Sequence, residues 1–220
     1  MLVSSTEAYR LWAPTYDATV NPLIALEERA MRDLLPAYSP PQVIDVGCGT
    51  GRWMKYFADI GSATAGVDAS EEMLRSTGLS GRVAVGESGN LPIANAVAGL
   101  VICSFGLSYF GSIERSFAEM ARISAVGGYV AIGDMHPTAV SSGWRRSFRV
   151  GNQCYEIRQF RYSLNEAMEA AEKAGLDLIE CRAAWLGEPE RPLFHKAGKP
   201  HLFAAASCMP AVWLGLWKKR

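Results

Sequence analysis

The chain of 220 residues predicts a doubly wound α/β fold. Three observations lead there. Short β-branched runs alternate with stretches of helical spacing, which is the signature of βαβ units. The runs are almost continuously apolar, as a parallel sheet covered on both faces requires. One run, "QVIDVG", opens directly into a glycine turn, "CGTG", and then into a helical pattern.

Each element follows in order. A polar-aromatic N-terminal segment leads to a helix beginning around Pro22. Strands are predicted at 42–47, 63–68, 82–86, 99–104 and 128–135. Helical spacing puts Trp53, Met54, Phe57 and Ile60 on one face of 51–60, and Ile113, Phe117, Met120 and Ile123 on one face of 112–123. A short helix is expected near Glu71. The regularity breaks after Met135. Residues 137–163 have no helical period and read as an insertion of loops with a short hairpin near Cys154 to Phe160. A helix at 164–174 follows, with Ser163 as N-cap, Glu166 at capping-box spacing and Gly175 closing it. A strand at 176–185, a Pro-rich loop and a last strand near 211–218 suggest an antiparallel pair at the sheet edge.

Composition narrows the partners. Basic and acidic side chains number 22 each, so no net field draws the chain to nucleic acid or to an anionic membrane. The length suits one domain. Cys48, Cys103, Cys154, Cys181 and Cys208 are odd in number and show no C-x-x-C pair, so neither a disulfide framework nor a metal site is expected. No signal peptide is read at the N-terminus, and the apolar stretch from Leu202 to Trp217 is interrupted by Pro210. A cytoplasmic protein acting on a small molecule, monomeric or homodimeric, is the expectation.

The glycine turn carries the chemistry. The dinucleotide fingerprint G-x-G-x-x-G counted from Gly47 needs its third glycine where the chain has Arg52, and the phosphate-loop pattern fails for want of a Gly-Lys pair. What remains is G-x-G-x-G (Gly47, Gly49, Gly51), preceded by Asp45. In this form "VIDVGCGTG" resembles motif I of the class I S-adenosylmethionine-dependent methyltransferases of small-molecule type. "GVDAS" with Asp68, "VGESGNLPI" with Glu87, "LVICSFGLSYF" and "ISAVGGYVAIGD" resemble the family's later motifs, in order, over roughly residues 9–135.

The resemblance implies a seven-stranded sheet in the order 3-2-1-4-5-7-6 with the last strand antiparallel. It implies S-adenosylmethionine as cofactor, leaving as S-adenosylhomocysteine. Cofactor contacts would come from Tyr16, Asp45, Gly47, Cys48, Gly49, Gly51, Asp68, Ala69, Met73, Glu87, Ser88, Ser104 and Phe105. Asp68 would hold the ribose and Glu87 the adenine. Trp12, Tyr109, His136, Trp144 and Arg149 are the expected acceptor contacts.

His136, just past the fifth main strand, is the candidate general base for an oxygen acceptor. A histidine that many relatives carry at the place of Ser108 is missing here, as is an acid at Gly99, which weakens any inherited catalytic assignment. Rival readings are a cofactor-binding module without turnover, another transferase on the same cofactor fold, and an NAD-dependent oxidoreductase. Within a single domain, 1–40 is expected to be a helical lid, 41–136 the cofactor half, 137–163 a substrate-side insertion with its arginines and aromatics, and 164–220 a helix with edge strands.

Overall fold

The computed structural model describes residues 1–35 and 40–220, so the end of the expected 1–40 segment lies outside the described residues. Along the chain come β1 (Leu2–Val3), α1 (Ser5–Trp12), α2 (Pro22–Leu34), β2 (Gln42–Val46), α3 (Arg52–Asp59), β3 (Ala63–Asp68), α4 (Glu71–Arg75), β4 (Val83–Val85), β5 (Ala98–Ser104) and α5 (Ile113–Ile123). The second half runs β6 (Ser124–Met135), α6 (Pro137–Ser141), β7 (Ser147–Val150), β8 (Gln153–Ile157), α7 (Leu164–Lys173), β9 (Leu176–Ala184), α8 (Arg191–Lys196), α9 (Phe203–Ala206) and β10 (Val212–Lys219).

The main sheet has seven strands in the order β4-β3-β2-β5-β6-β10-β9. Counted within that sheet alone, the order is 3-2-1-4-5-7-6. β10 runs antiparallel to both of its neighbours, β6 and β9, while the other pairs are parallel. The chain leaves central β2 for β3 on one side and returns to β5 on the other. That reversal opens a crevice beyond the carboxyl ends of the strands, where open α/β sheets bind their ligands.

Each face of the sheet has its own core, which explains the unbroken apolar runs. In β5, Leu100 and Ile102 pack into one core while Val101 and Cys103 pack into the other. β6 and β10 divide in the same way, with Leu214 and Leu216 on one side and Trp213 and Trp217 on the other. The first core takes Leu26 and Met31 of α2 and Trp53 and Phe57 of α3. The second takes Ile113, Phe117 and Met120 of α5 and Ala167, Ala170 and Ala171 of α7. A strand buried on both faces cannot show polar alternation.

The capping box of α7 forms as its spacing predicts. Ser163 Oγ accepts from the Glu166 N–H, and the Glu166 carboxylate accepts from the Ser163 N–H. Gly175 follows with φ +80°. Asn21 caps α2. Two expectations are amended. The 137–163 stretch contains the short helix α6, with Pro137 in its first turn, as well as the β7–β8 hairpin. The loop before β10 holds two short helices, α8 and α9, that are too brief to leave a helical period. All five cysteines are free thiols, and only Cys48 and Cys103 are buried.

A second sheet joins the two ends of the site. β1 pairs parallel with β8, which pairs antiparallel with β7. Val3, Ala8, Trp12, Phe148 and Ile157 form a small third core there, with Tyr9, Tyr16 and Tyr109 packed against it. The N-terminal segment and the insertion thus make one cap over the carboxyl edge of the main sheet.

Candidate active site

The turn after β2 is built on three left-handed glycines, with φ of +75° at Gly47, +55° at Gly49 and +79° at Gly51. A side chain at such angles is strained. A Cβ on Gly49 would also stand 3.2 Å from Met73 Cε. The turn is fastened to β3, where Gly47 N–H and Cys48 N–H both donate to Val67 O. Asp68 completes the fastening: its Oδ2 accepts from Gly49 N–H at 2.8 Å and its Oδ1 from Ser70 N–H at 2.8 Å. The cap of α4 is Ser70, whose hydroxyl accepts from Met73 N–H, so Asp68 is not spent on that helix.

Two cavities flank this turn. One, of about 120 Å³, is lined by Gly47, Gly49, Asp68, Ala69, Met73, Glu87, Ser88 and Leu91, and is roofed by Ser5, Thr6, Tyr9 and Tyr109 of the cap region. The other, of about 370 Å³, is lined by Asp17, Asp45, Gly47, Cys48, Gly49, Thr50 and Arg52, with Lys196 at its edge. They share Tyr16, Gly47, Gly49, Ser104 and Phe105. A third cavity, of about 190 Å³, lies beyond that wall and is lined by Tyr9, Trp12, Tyr16, Ile24, Phe105, Arg145, Arg146 and Lys199. All three meet at Tyr16 and Phe105. Phe105 has φ +55°, a left-handed conformation that costs a non-glycine residue roughly 1–3 kcal/mol.

Charged groups surround the second cavity. Asp45 is 2% exposed, and its Oδ1 has no hydrogen-bond partner among the described residues. Burial pushes its carboxyl up to about 8, against the opposing pull of Arg52. Arg52 Nη2 donates to Glu27 Oε2 at 2.7 Å and to Ser104 Oγ at 2.8 Å. Glu27 is fully buried, which raises its pKa, and it sits over Gly133, where a Cβ would come within 2.8 Å of Glu27 Oε1. Thr50 donates to Asp17 Oδ1 at 2.7 Å, tying the N-terminal segment to the glycine turn.

Beside the third cavity a buried ion pair anchors the insertion. Arg146 Nη2 donates to Asp134 Oδ1 at 3.0 Å, and Asp134 Oδ2 accepts from Ser108 N–H at 2.9 Å. The Arg146 guanidinium also lies 4.2 Å from the centroid of Phe105 and 5.4 Å from that of Tyr109. Cation–π contact of this kind helps hold Phe105 in its strained geometry. Burial pushes the hydroxyls of Tyr9, Tyr16 and Tyr109 well up, so they stay protonated.

Most of the expected cofactor residues therefore converge on the two flanking cavities. Gly51 shapes the start of α3 and lines neither. The Cys48 side chain packs over Gly66, so only its backbone faces the cavity. Among the expected acceptor residues, Trp12 lines the third cavity and Tyr109 the first. Arg149 is exposed on β7, and Trp144 packs on the core beside α6. Neither lines the three cavities. His136 is also outside them. It caps α6, with its Nδ1 accepting from Thr138 N–H at 3.1 Å. Glu27, Asp134, Arg146 and Tyr9 are brought to the site with no signal in their local sequence.

Residues 44–132 match the family described as methyltransferase domain. The match runs from β2 into β6, the part of the chain that holds the glycine turn. A malonyl-(acyl-carrier protein) O-methyltransferase from Pectobacterium atrosepticum is 32% identical over 119 residues, which cover 51% of this chain and 47% of that protein. A demethylmenaquinone methyltransferase from Renibacterium salmoninarum is 32% identical over 135 residues, covering 57% of this chain and 56% of that one. The chain thus spans about half the length of these curated relatives. In fold it is similar to an S-adenosylmethionine dependent methyltransferase from Mesorhizobium loti, with a TM-score of 0.70 at 16% identity, covering 90% of this chain and 100% of that one.

The residues present fit S-adenosylmethionine, the cofactor that the sequence motifs lead one to expect. Asp45 offers an unpartnered carboxylate oxygen for an ammonium, and binding a cation there would offset its burial. Asp68 stands at a strand end suited to ribose hydroxyls. Tyr16 and Phe105, at the junction, would offer aromatic rings to a sulfonium. Among the described residues no group of His, Cys, Asp and Glu could hold a metal ion, and no helix is long and apolar enough to cross a membrane.

Proposed function

We propose that this protein transfers a methyl group from S-adenosylmethionine to a small-molecule acceptor, with oxygen as the accepting atom. The observation that carries the reading is the meeting of three cavities at Tyr16 and Phe105. The first suits a nucleoside, the second an amino-acid end, and the third an acceptor. The relatives support both choices, the demethylmenaquinone methyltransferase that of a small molecule and the malonyl-(acyl-carrier protein) O-methyltransferase that of oxygen.

When bound, the cofactor supplies an electrophilic methyl group on a positively charged sulfur. The chain's own part is alignment and exclusion of water. In this reading Asp68 orients the ribose, Glu87 meets the adenine, and Asp45 with the Gly47–Gly49 backbone holds the amino-acid end. Phe105 and Tyr16 form the wall across which acceptor and methyl group face one another. Ser5, Thr6 and Tyr9 of α1 close the first cavity from above. His136 has no part in this arrangement, because it lines none of the three cavities and its Nδ1 accepts from Thr138 N–H.

Calorimetric titration with S-adenosylmethionine and with NADH tests the cofactor, and release of S-adenosylhomocysteine with a panel of acceptors tests transfer. Binding of the first cofactor alone, with turnover of at least one acceptor, is expected. NADH binding alone would sink the reading. Tight binding of S-adenosylmethionine with no turnover would favour a module without catalysis.

A further inference from the structure

The third cavity has a composition that selects the acceptor's chemistry. Its wall carries two guanidiniums, Arg145 and Arg146, and the ammonium of Lys199. Among the described residues that line it there is no Asp, Glu, His or Cys. Arg146, against Phe105, stands at the inner end, and its charge is shared with Asp134 behind the wall. Arg145, with the Glu156 carboxylate 3.7 Å from its Nε, and Lys199 are exposed and stand at the mouth. Between them Trp12, Tyr16, Leu23 and Ile24 give flat and apolar surface.

The missing base is informative. An alcohol or phenol must lose a proton as its oxygen attacks, and an ammonium must lose one beforehand, so each needs a group to take it. The tyrosines here, Tyr9 and Tyr16, stay protonated under burial. The carboxylates Asp17, Glu28 and Asp45 stand around the second cavity, on the far side of the shared wall. His136 is engaged at α6. An amine acceptor, cationic at neutral pH, would also meet Lys199 unfavourably, while Arg145 and Arg146 already have Glu156 and Asp134 as counterions. An acceptor already ionised at neutral pH needs no base and is drawn by the same cations.

We propose, resting on the methyltransferase reading above, that the acceptor is a carboxylate with a compact apolar or aromatic body, and that a carboxylate oxygen is the atom methylated. The acceptor oxygen forms its bond to the methyl carbon as the carbon–sulfur bond breaks. The sulfur keeps the electron pair and loses its positive charge, and the carboxylate becomes a neutral methyl ester. No proton changes hands. The product leaves a cationic cavity without the charge that brought it in, which favours release.

Direct binding gives a readout independent of turnover. Benzoate and the isosteric neutral benzamide are titrated into the protein saturated with S-adenosylhomocysteine. Benzoate is expected to bind at least tenfold more tightly, and Lys199→Gln with Arg145→Gln to erase most of that preference while leaving S-adenosylhomocysteine affinity unchanged. Equal affinity for the two probes overturns the proposal. Turnover is then followed with panels of carboxylic acids, phenols and amines, and products are treated with alkali. Methyl esters release methanol, whereas methyl ethers and methylamines do not. Methanol from the acid panel is expected. Turnover confined to phenols or amines overturns the carboxylate assignment but leaves the methyltransferase reading standing. Failure of all panels, with or without cofactor binding, defeats both.

Discussion

The cofactor half and the cap of this molecule are built from different materials. Between β2 and β6 the ligand-facing parts are mostly backbone. Glycines at left-handed angles, strand ends and helix starts do the positioning, and Asp68 ties two of them together. In the cap, side chains do it. Arg146 reaches Asp134, Phe105 and Tyr109 across a turn and a strand, and Gln159 donates to Ser108 Oγ at 3.2 Å. A backbone device tolerates change in its neighbours. A side-chain device fails at a single position, and under the proposed function it would let acceptor choice shift by substitution without disturbing cofactor binding.

Four substitutions would break or sharpen that contrast. The largest effect is expected from Arg146→Leu. It leaves Asp134 buried and short of a partner, and losing one member of a buried pair costs about 3–5 kcal/mol. Urea unfolding should show that loss, and Asp134→Asn with Arg146→Leu should recover part of it. A loss below about 1 kcal/mol would mean that the cap is not held by this pair.

Asp68→Ala comes next. Two backbone N–H groups lose a charged acceptor, and any ribose contact goes with them. Affinity for S-adenosylhomocysteine should fall about 10–100-fold, equivalent to roughly 1.5–3 kcal/mol for charge-assisted hydrogen bonds. Unaltered affinity by calorimetry would undo the ribose assignment.

Asp45→Asn tests the buried acid through pH. The carboxyl is raised to about 8 in the folded chain, so its proton is held more tightly there than in the unfolded chain. The stability tied to it is complete at low pH and is lost as pH rises from about 4 towards 8. The groups facing it are Arg52, Asp68 and Glu27. Without ligand, the Asn variant should therefore gain on the parent as pH rises, by more than about 1 kcal/mol at pH 8. Parallel stability curves across that range would show that Asp45 is ionised throughout.

The smallest effect is expected at His136. His136→Ala removes one acceptor from the start of α6, worth about 1 kcal/mol, and should leave kcat within about threefold. A fall of about 100-fold or more, with cofactor affinity intact, would restore the general-base role that its position after β6 suggests from sequence.

The two regions also differ in how far the sequence discloses them. The turn after β2 could be read because its demands are local: positive φ calls for glycine, and a capping box has a fixed spacing. The sheet order came from the family resemblance that several motifs in succession carry. The cap gave little away. β1 is two residues long, and its pairing with β8 joins positions at opposite ends of the insertion's separation from the N-terminus. Arg146 stands among other arginines with nothing to distinguish it, because its partner Asp134 is fixed by tertiary packing. Trp144 and Arg149 are equally plausible from composition, but Trp144 packs on the first core beside α6 and Arg149 is exposed on β7. His136 shows the converse, a residue in a suggestive place already claimed by local backbone.

Gly133 and Glu27 carry a consequence for how this protein can change. The carboxyl of one fills the volume that a side chain on the other would need. Neither position can drift freely. Adding a methyl group to β6 pushes a buried charge out of its place, and shortening the acid leaves a hole beside a bare strand and Arg52 without its closest counterion. Among descendants of this chain the two sites should be inherited as a unit, with intermediates that carry only one change selected against even though neither residue faces the acceptor.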